Sequence, residues 1–184
     1  MRRICGVLVV VLVAGVGVGG CGSDEADSDG DGAETTVVSD GGVPFGLESV
    51  ELPESESEVA ARFEAVPAEL EGLPRVDAAA NELAAKYGGE LNVLSAGLAS
   101  GFDAGTVLGD LSSFEDEPGA EIEDSDLDRG SAVVFVVGSF QDEGGAGKVY
   151  VATWGDPEGE WLFSAGAETP EMREALVLAF VDTA

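Results

Sequence analysis

Ala132-Val133-Val134-Phe135-Val136-Val137 is the stretch on which the fold turns. Six apolar residues in succession, four of them valine, are too few for an ordinary helix. β-Branched side chains are stiff about χ1 and fit a pleated surface, so the run predicts a central strand buried on both faces. Downstream, Gly144-Gly145-Ala146-Gly147 turns the chain and Lys148 to Trp154 predicts a second strand. Asp156-Pro157-Glu158-Gly159 turns it again, and Glu160 to Ala165 predicts a third, which makes an antiparallel meander. Thr169 then caps a closing helix with Pro170 at its first position. Met172, Ala175, Leu176, Ala179 and Phe180 recur at helical spacing and form a stripe expected to lie on the sheet.

Upstream, Ser55 and Glu58 stand at capping-box spacing, followed by Val59, Phe63, Val66 and Leu70 at helical intervals. Pro67 removes a donor and clashes with the preceding turn, so the helix is expected to end near Ala65 or to kink there. Gly72-Leu73-Pro74 marks a break. Asp77 to Tyr87 supports two readings: a helix capped by Asp77 and stopped at Gly88, or a hairpin of Leu83–Tyr87 and Glu90–Ala96 turned at Gly88-Gly89. Asp103 to Phe114 predicts a helix with Val107, Leu108, Leu111 and Phe114 on one face. Glu115 to Asp128 reads as an acidic connection with a short exposed strand around 121–123. The expected class is α+β, an antiparallel β meander packed against helices.

The N-terminus has another character. Met1-Arg2-Arg3 is a short positive segment, Ile4 to Val18 is apolar, and Gly19-Gly20 precede Cys21, the three-part layout of a secretory signal. Val18-Gly19-Gly20-Cys21 resembles the lipobox of bacterial secreted lipoproteins, with valine where leucine is usual. That resemblance implies cleavage between Gly20 and Cys21 and a lipid on Cys21 that holds the protein on the outer face of a cell membrane. Residues 1–20 are then a signal peptide. Residues 21–43, acidic and rich in glycine and serine, are a flexible tether that cannot bury enough surface to offset its conformational entropy. Residues 44–184 are a single α+β extracytoplasmic domain. Within that domain Leu70-Glu71-Gly72-Leu73-Pro74-Arg75, Lys86-Tyr87-Gly88, Val151-Ala152-Thr153-Trp154-Gly155-Asp156 and the closing helix together resemble small actinobacterial secreted proteins of unknown function. That likeness implies no activity.

Charge and composition exclude more than they assign. The chain carries 37 Asp and Glu against 8 Lys and Arg and has no histidine. A surface of this sign repels phosphate backbones, so no nucleic-acid partner is expected. Without histidine the commonest general base and metal ligand are both missing. Ser95 lacks the first glycine of a nucleophile elbow, and Gly144 to Lys148 lies between strands, where a phosphate loop does not belong. Asp27-Ser28-Asp29-Gly30-Asp31-Gly32 begins like a calcium loop, yet its twelfth residue is Val38; Asp124 to Asp128 has Arg129 where the glycine belongs. No catalytic residue, metal or cofactor is therefore expected. Trp154 and Trp161 flank the Asp156–Gly159 turn and stand opposite each other if Gly155 pairs with Glu160. They would form either a hairpin-stabilising pair or a clamp for a ligand. The expectation is a lipid-anchored, non-catalytic binding domain with an unidentified protein or envelope ligand; the alternatives are a cell-envelope hydrolase using carboxylates and a structural envelope protein.

Overall fold

The computed structural model of the chain describes residues 44–76, 83–89, 91–113, 119–127, 131–141 and 147–183. The readings for the signal, Cys21, the tether, the first acidic repeat, residues 77–82, Phe114 and the 144–146 turn lie outside them. A short 3₁₀ segment, Pro44–Ser49, is followed by α1 (Glu56–Ala65), β1 (Glu69–Leu70), β2 (Leu73–Val76), β3 (Ala84–Tyr87) and β4 (Val93–Leu98). Then come α2 (Ala104–Ser112), β5 (Ala120–Ser125), β6 (Val134–Gln141), β7 (Lys148–Gly155), β8 (Trp161–Ala167) and α3 (Pro170–Val181). The eight strands form one antiparallel sheet in the order β1-β2-β3-β4-β8-β7-β6-β5, with helices packed against it, an α+β architecture.

The predicted meander is present as β6-β7-β8, and β8 continues the sheet by pairing with β4. The valine-rich strand is not central. It lies one strand in from the edge, because the acidic connection contributes a full edge strand, β5, where a short one was expected. It is nevertheless buried on both faces. Val133, Phe135 and Val137 enter the core shared with α1 and α3, whereas Val134 and Val136 pack with Ala104 and Leu108 of α2. Continuous hydrophobicity thus reports a strand covered twice, not a strand in the middle.

Two upstream segments read as helix or break are strands. Residues 84–87 pair with β4 through Ala84↔Ser95 and Lys86↔Val93, which decides for the hairpin. Ala85 and Tyr87 point into the core from the same face, an alternation that outweighs alanine's helical propensity. The Gly72 break is a two-residue hairpin turn, with Glu71 at φ 51° and Gly72 at φ 77° joining β1 to β2. The Tyr87 hydroxyl donates to the Pro67 carbonyl at 2.7 Å and so fixes the end of α1 to the sheet. Burial raises that phenol's pKa above the ordinary value.

The caps form as the sequence implies. Ser55 and Glu58 make the full capping box, and the Thr169 hydroxyl accepts the Met172 N–H. On α3 the stripe is wider than predicted: Arg173 and Val177 are buried with Met172, Leu176, Ala179 and Phe180, and Ala175 is only half-buried. Phe180 packs on Trp154 (5.3 Å between centroids, edge-on) and Phe163 (4.8 Å). The Arg62 guanidinium covers its ring at 4.8 Å.

Arg173 is buried with both terminal nitrogens partnered, although its Nε has no hydrogen-bond partner. Its Nη2 lies 2.9 Å from Oε2 of Glu123, and its Nη1 donates to the Gly138 carbonyl at 3.2 Å. Glu123 occupies a β-bulge, where the β5–β6 register slips between Ile122 and Asp124. The bulge turns the edge strand's carboxylate toward the helix, so one guanidinium ties α3 to β5 and β6.

Phe180→Ala should cost about 3–5 kcal/mol, a large share of a domain's stability, whereas Glu174→Ala on the exposed side of α3 should stay within about 0.5 kcal/mol in urea melts. If Phe180→Ala melted like the wild type, the helix would not be docked. Glu123→Ala should cost about 1–3 kcal/mol, because it strands a buried guanidinium, and should speed amide exchange along β5. Glu121→Ala, which breaks only the exposed 2.8 Å bridge to Lys148, should leave both measurements near wild type.

Candidate functional site

The sequence has too many carboxylates to choose among, so geometry has to choose. The register of β7 with β8 does this first. Trp154 pairs with Phe163 and Thr153 with Ser164, so Gly155 does not meet Glu160 and the two tryptophans are not opposite each other. Trp161 instead faces Leu98 of β4. The longer turn follows from where its carbonyls go. Gly159 and Pro157 accept the Ala104 and Gly105 N–H groups at 2.8 and 3.1 Å, and Glu160 accepts that of Ala99 at 2.8 Å. Asp103 caps the next donor, Thr106, at 2.6 Å. The first turn of α2 therefore finds its acceptors in the β7–β8 turn, which cannot also close as a tight hairpin. Gly155 permits this approach: a Cβ there would sit 2.8 Å from both the Ala104 Cβ and the Trp161 carbonyl.

The two indoles consequently have opposite roles. Trp154 is 0% exposed, stacked on Phe163 at 6.1 Å, and available to no external ligand. That removes the two-ring clamp. Trp161 sits at the end of the same sheet face, where the core stops. It is partly exposed, and its Nε1 donates to the Glu54 carbonyl at 3.1 Å.

Around Trp161 lies a cleft of about 300 Å³. Leu52, Pro53 and Glu54 line it from the segment before α1; Asp156, Glu158 and Glu160 line it from the turn; Trp161 and Phe163 complete it. All four of its carboxylates belong to exposed residues, and no lysine or arginine is among the lining residues. The Asp156 carboxylate accepts the Glu158 N–H at 2.9 Å, which shapes the turn. Beside it, the Thr106 N–H holds the Asp103 carboxyl below its ordinary pKa. A depressed pKa means that this cap is intact at neutral pH and is lost only as the pH falls through a value below the usual aspartate range. A second groove of about 420 Å³ runs between the end of α1, the β1–β2 hairpin and α3, but its lining carries aliphatic and acidic side chains without an aromatic ring.

The other sequence candidates fall elsewhere. Ser95 belongs to a row of cross-strand hydroxyls, opposite Ser164, which itself lies 3.2 Å from the Thr153 hydroxyl. Lys148 bridges Glu121. In the second acidic run Asp124 and Ser125 are in β5, and buried Asp126 accepts the Ser131 hydroxyl at 2.7 Å. Among the described residues no three His, Cys, Asp or Glu side chains converge as a metal site. No protein-family model matches the chain, and no curated protein or solved structure does either.

The separation of the two indoles is measurable. Trp161→Phe should leave only blue-shifted emission that acrylamide barely quenches, because Trp154 is enclosed. Wild type should retain a quenchable component. Equal quenching of the two proteins would contradict an accessible Trp161.

Proposed function

We propose that the chain is an extracytoplasmic lipoprotein in which a lipid on Cys21 ties a non-catalytic binding domain to the outer face of a cell membrane, with the Trp161 cleft as the ligand site. The observation that carries the binding reading is the cleft itself: a partly exposed indole at the end of a rigid sheet, ringed by four carboxylates. An aromatic face gives a ligand apolar area and affinity for cations, and the carboxylates add attraction of one sign. Binding is favoured over carboxylate hydrolysis on chemical grounds. A hydrolase needs one carboxyl kept protonated by apolar surroundings, and the cleft's acids are on exposed residues. The anchoring half of the proposal rests on the signal-like N-terminus and on Val18-Gly19-Gly20-Cys21.

Metabolic labelling with a fatty acid in a bacterial host should mark the wild type, and Cys21→Ala should remain unlabelled as precursor or pass into the medium. Equal labelling of the two proteins would refute the anchor. Ligand binding at the cleft should be detected as a saturable change in Trp161 emission that is absent from Trp161→Phe.

A further inference from the structure

Resting on the reading of the Trp161 cleft as a binding site, we infer that its ligand is a basic polypeptide segment that also lays aliphatic side chains on a neighbouring apolar surface formed by Leu98 and Phe102. These two residues are each 56% exposed, the most exposed of the large hydrophobic side chains described. Leu98 is the cross-strand partner of Trp161 and so stands beside it on the same sheet face. Phe102 belongs to the loop that follows. That loop is stitched at both ends to the acidic turn: Ala99 donates to the Glu160 carbonyl and Ala104 to that of Gly159. Between the stitches Ser100 and Gly101 take left-handed conformations, φ 53° and 89°. The loop that carries the exposed Phe102 is thus held against the turn that carries Asp156, Glu158 and Glu160.

The surface has two chemistries side by side, and the ligand must match both. An isolated small cation satisfies the carboxylates and leaves Leu98 and Phe102 in water. A neutral glycan can stack on an indole and donate its hydroxyls to carboxylates, but it leaves their four negative charges unneutralised and Leu98 and Phe102 in water. An apolar segment without charge would desolvate those carboxylates uncompensated. A chain in which lysine or arginine alternates with aliphatic residues places its cations in the acidic cleft and its apolar side chains on the adjacent knob. The net charge of −29 attracts such a chain at long range.

The test uses the full chain in zwitterionic nanodiscs and a short blocked peptide of alternating lysine and leucine, followed by tryptophan emission. The peptide should bind saturably, weaken as salt rises from about 0.05 to 0.5 M, and lose about tenfold or more in affinity with Phe102→Ser or Leu98→Ser. The double variant Glu158→Gln, Glu160→Gln should weaken it as well, and Leu178→Ser, in the other groove, should not. Circular dichroism melts confirm that each variant is folded. If spermine binds as tightly as the peptide and Phe102→Ser changes nothing, the polypeptide inference falls while the cleft remains a cation site. If only a neutral oligosaccharide changes the Trp161 signal, the inference also falls and the binding site stands. If Leu178→Ser alone abolishes peptide binding, both the inference and the cleft assignment are wrong.

Discussion

Trp154, Phe163 and Phe180 meet where the sheet and the closing helix face each other, and most of the architecture can be traced from that contact. Trp154 and Phe163 are cross-strand partners, so the cluster and the β7–β8 register are one fact described in two ways. With that register set, the chain between them must pass through a turn that leaves its carbonyls open, and the first N–H groups of α2 take them. Trp161 then lies two residues before Phe163, on the same face but beyond the cover of α3. The cleft is therefore a consequence of the core: the first residue of β8, an indole packed on the core's edge, is left between core and solvent. One indole is enclosed and the other is offered outward by a spacing of residues alone.

That spacing also marks how far the sequence can be read. Elements whose signal is local were legible: the capping box at Ser55, the Thr169-Pro170 start, the stop before Pro67 and the doubly buried valine run all form as their residues imply. What escaped depends on partners remote in sequence. Residues 84–87 could be helix or strand until β4 supplied the alternation. The edge strand β5 was legible only as a short exposed strand around 121–123 within a charged connection, because one of its neighbours is solvent and its bulge hides the period. Arg173 was unforeseen because a charge in the middle of an apolar stripe reads as surface, and its partners, Glu123 and Gly138, are 50 and 35 residues away. Of the candidate site, Trp161 was legible as a residue type flanking a turn, but the condition for the two indoles to face each other is not met, because Trp154 pairs with Phe163. Leu98 and Phe102 carry no sequence signal that separates them from core residues; their exposure is a fact of topology.

The distribution of positive charge gives the acidic surface its meaning. Arg62 covers Phe180 and donates to the Glu51 carbonyl at 2.8 Å, Arg75 reaches the Val66 carbonyl at 3.5 Å, Lys148 bridges Glu121, and Arg173 is enclosed. These four of the chain's eight cations hold one element to another. Burial lowers the Arg62 pKa, yet an arginine starts high enough that its charge persists across any ordinary pH. With 37 acidic residues against 8 basic ones the net charge is −29, so the long-range field is strongly negative wherever the cations sit.

On the binding reading proposed above, approach and recognition are separable: a general field would attract a ligand and a specific site would select it. A uniform acidic surface attracts every cation and distinguishes none, since each exposed carboxylate interacts weakly through water and salt. Discrimination requires a place where charge, low dielectric and shape coincide. At Trp161 an indole and a buried proline displace water beside carboxylates whose backbone is held by the stitches from α2. A cation there gives up less favourable solvation than it would on a bare apolar wall and gains more attraction than on a bare acidic one. The same rigidity limits the entropy that binding must remove from the protein, because the turn is already ordered by hydrogen bonds made for folding. The contacts that dock α2 thus also order the acidic turn that lines the proposed site: loosening the helix would loosen that turn.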